Sequence, residues 1–177
     1  MKRLSSHALI TAAILFAGLS EFALAAQDKY TVKVPNGLAF SEFRGYEDWR
    51  PVAVSQTDTG LKVISANTEM INAYKSGLPA KGKKFPEGSK IVKIEWTLRK
   101  SPVSPYAVNE PDVLKSVSFI EKDSKRFPKT DGWAYAQFAY DAKTATFKPN
   151  GTGADCGHAC HTAVAAQDFI FTGYPRR

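Results

Sequence analysis

Two cysteines and two histidines crowd into six residues near the C-terminus, Cys156-Gly157-His158-Ala159-Cys160-His161, and these are the only cysteines of the 177-residue chain. Whatever these side chains hold, the rest of the sequence must build walls around it, so the cluster constrains the fold more than composition does. Two thiols can add across the two vinyl groups of a haem, and a histidine directly after the second thiol then serves as axial ligand of the iron. The usual spacing has two residues between the cysteines; here there are three. One extra residue can be absorbed as a bulge or a loosened turn.

Three other readings compete for the same residues. Cys156 and Cys160 could pair as a disulfide, although on a regular helix residues four apart place their Cα atoms about 6 Å apart with poor bridge torsions, so only a non-helical segment would allow it. A zinc site could draw on Cys156, Cys160, His158 and His161, yet tetrahedral sites take their ligand pairs from two separated segments. The thiols could also be free.

The first 25 residues carry Lys2 and Arg3, an apolar stretch from Ala8 to Leu19, and the ending Ala23-Leu24-Ala25. This is the pattern of a cleaved secretory leader, with residues 26–177 left as one domain. The apolar stretch is shorter than the ~20 residues a spanning helix needs, and no later stretch is long enough, so no permanent membrane span is expected. Export across a bacterial inner membrane into the periplasm fits covalent haem attachment. Loss of the leader removes Lys2, Arg3 and Glu21 and lowers the formal charge of +7 by one. The lysines are scattered in pairs and no recognition motif accompanies them, which argues against nucleic acid and for acidic partner proteins or an anionic surface.

Along the mature chain the alternation of Tyr30 to Val34 predicts a short strand, followed by a turn at Pro35-Asn36-Gly37. Phe43, Tyr46 and Trp49, three residues apart, predict a short helix or turn with its aromatics packed in the core. Val52 to Thr57 and Leu61 to Ile64, separated by Asp58-Thr59-Gly60, predict a hairpin. Asn67 caps a helix whose buried face holds Met70, Ile71, Ala73 and Tyr74. Met70 is the one methionine left after processing and could close the sixth position of an electron-transfer haem, but on this helix it reads as a core filler. Ile91 to Trp96 alternate as a strand that puts Ile91, Lys93 and Glu95 on one side, with Lys93 expected to face solvent. Proline-rich Ser101 to Asp112 reads as a loop, Val113 to Glu121 and Gly132 to Tyr140 as strands, and Asp141 to Phe147 as a turn and return strand. The fold class is α+β, mainly an antiparallel β-sheet with a few short helices, and a haem packed against an aromatic face of the sheet.

Four stretches in order, Phe43-Arg44-Gly45-Tyr46-Glu47-Asp48-Trp49, Phe85-Pro86-Glu87-Gly88, Lys122 to Pro128 running into Gly132-Trp133-Ala134-Tyr135, and the cysteine-histidine cluster with Asp168-Phe169-Ile170-Phe171-Thr172, make the chain resemble the cytochrome P-460 family of exported c-type haem proteins, which includes the cytochromes c′-beta. The resemblance implies a homodimer with one haem c per chain, Cys156 and Cys160 in thioether bonds, His161 as the proximal iron ligand and an open site opposite. Some members also join a strand lysine to the haem ring; Lys93 matches that position, with Lys90 as the fallback. Members with the cross-link oxidise hydroxylamine, and c′-beta members bind nitric oxide or carbon monoxide. Oxidising hydroxylamine calls for a distal carboxylate as base. The matching position here is neutral, leaving Asp155 beside Cys156, or Glu95 or Glu110 from elsewhere. The implied classes are therefore a hydroxylamine or nitric oxide oxidoreductase with a redox partner protein, a non-catalytic gas binder, or an electron-transfer cytochrome.

Overall fold

The computed structural model describes residues 26–35, 37–151 and 154–175, with side chains in the last span from Gly157 onward. The expected leader, residues 1–25, lies outside the described residues, as do Asn36 and the side chains of Asp155 and Cys156.

Six strands form one antiparallel meander in chain order: β1 (Arg50–Thr57), β2 (Gly60–Ala66), β3 (Lys90–Lys100), β4 (Asn109–Lys122), β5 (Trp133–Asp141) and β6 (Thr146–Pro149). Each connection joins neighbours: tight turns close β1–β2 and β5–β6, while the β2–β3 connection carries a helix and returns to the same edge. Among the described residues two α-helices accompany the sheet, α1 (Thr68–Lys75) and α2 (Ala154–His161). The expected α+β class is the one observed.

Because side chains alternate along each strand, the sheet sorts its apolar residues into two layers. On one face Val92, Val117, Phe119, Ala134, Ala136 and Phe138 meet the N-terminal segment, where Phe40 and Phe43 are fully buried. Phe43 stacks on Phe119 with ring centres 4.1 Å apart. On the other face Ile64, Ile91, Trp133 and Tyr135 meet α1, Phe85 and the C-terminal Phe169 and Ile170. The first layer closes the molecule; the second carries the site.

Local signals explain α1. Asn67 Oδ1 accepts the Met70 N–H at 3.1 Å, as an N-cap should, and also the Lys90 N–H at 3.0 Å, so one amide ties the helix to the start of β3. Met70 is fully buried in this layer, as a core filler.

Two expectations change. Residues 30–34 do not form a strand: Lys29–Thr31 is a 3-10 turn capped by Asp28, and among the described residues the β-pairing there is a single bridge between Lys33 and Ala39. The alternation was real, since Val34 is buried, but the segment lies over the aromatic layer with no neighbouring strand to pair with. β4 begins at Asn109, inside the expected loop, and accommodates Pro111 opposite Leu98 where the register slips. The aromatic run 40–49 is the short helical turn expected, split into two 3-10 turns, Phe40–Phe43 and Tyr46–Asp48, with Phe43 and Tyr46 buried.

Candidate functional site

Strand pairing draws a row of side chains straight across the second face. Ala53 on β1 stands opposite Ile64 on β2, Ile64 opposite Lys93 on β3, Lys93 opposite Ser118 on β4, and Ser118 opposite Gln137 on β5. The next row on the same face runs Ala66, Ile91, Ile120 and Tyr135. Above these rows the C-terminal segment leaves a cleft of about 510 Å³, walled by Ile64, Ile91, Lys93, Ser118, Ile120, Cys160, His161 and Ile170–Thr172. A second hollow of about 290 Å³ shares Lys93, Ser118, Ile120, Cys160 and His161 and reaches Tyr135 and Gln137. Both volumes suit a small-molecule or prosthetic-group site.

Helix α2 rests directly on β5. At Gly157 an added Cβ would stand 2.4 Å from the Cβ of Tyr135, so only glycine lets the helix approach this closely. The approach aims His161 into the cleft, where its ring lies 4.9 Å from those of Tyr135 and Phe171. His158, one turn earlier, serves another place: its Nε2 is 3.5 Å from Asp131 Oδ2 and its ring packs on Phe169. Cys160 is a free, exposed thiol at the cleft wall. Cysteines four apart on regular helix α2 are poorly placed for a disulfide.

His161 Nδ1 lies 2.5 Å from the backbone carbonyl of Phe169. A carbonyl only accepts, so Nδ1 carries the proton and donates it, leaving the Nε2 lone pair free. Burial holds the ring below the usual imidazole value of 6.5, and the neighbouring Lys93 and His158 push the same way against the Phe169 bond. The neutral, Nε2-available form is the one a metal takes.

The Phe169 carbonyl is aimed by an unusual turn. After the 3-10 stretch Thr162–Gln167, Asp168 and Phe169 both adopt left-handed backbone, with φ of 51° and 63°. Such a conformation costs of order 1–3 kcal/mol at a residue like phenylalanine and persists only where surroundings enforce it. Here Asp168 is 4% exposed; its carboxylate takes the Phe85 N–H at 2.8 Å and lies 3.1 and 3.2 Å from Lys122 Nζ. Lys122, 2% exposed, also donates to the Asp131 carbonyl.

Lys93 corrects the sequence-based expectation of a solvent-facing lysine. It is half-buried in the cleft, and burial lowers its amine below 10.5 with help from Lys62 and against the pull of Glu95. Periodicity placed it on the right side of β3 but could not say that a C-terminal segment would cover that side. Lys90, the fallback, lies on the opposite face, paired with Glu121 at 3.2 Å and placed over the Phe43 ring. Glu95 and Glu110 are engaged elsewhere, with Lys115 at 2.7 Å and Arg99 at 3.2 Å, and neither lines the cleft. Met70 does not line it either. Ser118, Ile120 and Gln137 are not among the site residues expected from the sequence; the period-two pattern of β4 and β5 is the signal that puts them on this face.

The donors fit a flat apolar macrocycle. Four isoleucines, Ile64, Ile91, Ile120 and Ile170, give the wall its apolar character, a thiol and a free imidazole nitrogen lie beside them, and Phe171 stands 56% exposed against His161, an apolar surface that a planar group would cover. A family model described as Cytochrome P460 matches residues 43–172. No curated protein matches the chain.

Proposed function

The chain belongs to the cytochrome P460 family of haem proteins, and from that premise we propose that it is an exported, periplasmic c-type haem protein acting on small nitrogen species, hydroxylamine or nitric oxide, at an open iron site. One observation carries the reading: His161 stands half-buried in an apolar cleft with Nδ1 committed to the Phe169 carbonyl and Nε2 free, next to Cys160. Cys156 and Cys160 would hold the haem through thioethers and His161 would ligate its iron. Bound there, the group supplies a redox-active metal with one position for a small ligand.

The chain's own residues set the conditions. Ile64, Ile91, Ile120 and Ile170 exclude water and favour small, weakly polar ligands. Lys93 contributes a half-buried amine of lowered basicity, suited to donating a hydrogen bond or to joining the ring covalently as in the cross-linked members. The non-catalytic gas-binding alternative is favoured by a specific observation, that among the described residues no carboxylate lines the cleft to take protons from hydroxylamine. The electron-carrier reading has no support from Met70, which is buried in the core on the inner side of α1 and does not line the cleft. A homodimer and a redox partner protein are part of the proposal.

The test is to export the chain together with a haem-attachment system. Porphyrin mass on the polypeptide, a five-coordinate ferrous spectrum and immediate carbon monoxide binding are expected, and absence of the mass sinks the reading. Steady turnover of hydroxylamine with an electron acceptor separates enzyme from binder.

A further inference from the structure

Lys122 and Asp168 lie outside the cleft walls, yet they are the most deeply buried ion pair among the described residues. They occur in two of the stretches that carry the family resemblance, 46 positions apart. What they hold is the turn whose next residue supplies the carbonyl to His161: Asp168 anchors by its side chain, Phe169 follows in left-handed backbone, and its oxygen meets Nδ1. The turn's own backbone bonds, Asp168 N–H to Ala165 and Phe169 N–H to Val164, close it locally but do not orient it against the sheet. Besides the Gly82 N–H bond to the Ala166 carbonyl and the packing of Phe169 and Ile170, Asp168 is tied there by Phe85 N–H and by Lys122 Nζ, which is itself fixed by the Asp131 carbonyl and lies over the Trp133 ring.

We propose that Asp168 and Lys122 are positioning residues for the proximal histidine, holding the Phe169 carbonyl against His161 Nδ1 and so setting how strongly Nε2 donates to the iron. The inference rests on the reading of His161 as the axial ligand. An acceptor on the distant ring nitrogen raises the basicity of a metal-bound imidazole, favouring the ferric state and strengthening the iron–histidine bond. Loosening the anchor weakens both effects.

The test uses the haem-loaded protein and two variants of opposite charge effect, Asp168→Asn and Lys122→Gln, with Phe40→Leu in the other core layer as a control for lost stability. Both anchor variants are expected to lower the ferrous iron–histidine stretching frequency in resonance Raman spectra and to raise the midpoint potential, while Phe40→Leu moves neither. If charge acted only through space, Asp168→Asn would raise the potential and Lys122→Gln would lower it, with the stretch unchanged; that outcome overturns the proposal, as do wild-type values in both. Should Asp168→Asn fail to accumulate, Lys122→Gln, which leaves the Phe85 bond on Asp168, carries the same expectation. Wild-type protein without porphyrin mass overturns this inference and the functional reading together, whereas loaded variants with wild-type spectra overturn the positioning role alone.

Discussion

A histidine ring offers two nitrogens, and at His161 the fold commits one to the Phe169 carbonyl, so the other has a single use left. His161→Ala should therefore keep any covalently attached haem mass yet lose the axial nitrogen, read as a changed ferrous Soret band and loss of the iron–histidine Raman line. Lys93 acts through charge. Its amine lies in the cleft, so Lys93→Ala is expected to lower the midpoint potential, because removing a neighbouring cation favours the ferric state. The effect should fade as pH rises through the lysine's lowered value, above which the wild-type amine is itself neutral. A difference that stays constant across that range would mean that Lys93 is not the titrating cation. Both residues were legible as candidates in the sequence. Their environment was not, since burial of Lys93 depends on residues some 70 positions later folding back over β3.

Among the elements, α2 and α1 show two ways in which a short helix is placed. Eight residues make a weak helix in isolation, so α2 relies on its contact with β5, and that contact depends on a missing side chain at Gly157. Gly157→Ala brings a methyl to 2.4 Å of Tyr135 and should cost about 1–3 kcal/mol while displacing the cysteines it lies between, seen as a lowered Tm and poorer haem attachment. Placement of α1 instead depends on Asn67, which caps it, accepts from Lys90 N–H and donates to the Gly88 carbonyl. Asn67→Ala should cost about 1–2 kcal/mol in chemical denaturation, at the upper end for a cap because a strand bond goes with it. A cost within experimental error would show that the Lys90 and Gly88 contacts carry little.

For the whole molecule, charge pairs join distant segments, and their acid limb is predictable. At Glu42 burial raises the carboxyl, but the bonds from Arg126 and from Ala39 N–H outweigh it and hold it below 4.5; Glu47 with Lys29 and Glu95 with Lys115 behave alike. Each such group binds fewer protons folded than unfolded below that value. Their stabilisation is therefore complete above about pH 4.5 and is lost as pH falls through the folded value. Arg126→Ala should lower Tm at neutral pH by an amount that shrinks on acidification, and a gap independent of pH would exclude the Glu42 pair as its source. The opposite trend at Glu121, raised chiefly by burial, works against this and makes the net slope shallow. Local chemistry in the sequence determined the antiparallel strands, the Asn67 cap, the aromatic layers and the thiol–imidazole cluster, because each follows from neighbours within a few residues. Only the tertiary structure decided which strand face became the cleft, that residues 30–34 find no strand partner, and that Lys122 meets Asp168. Those depend on segments far apart in the chain meeting through burial and strand register, which no local pattern encodes.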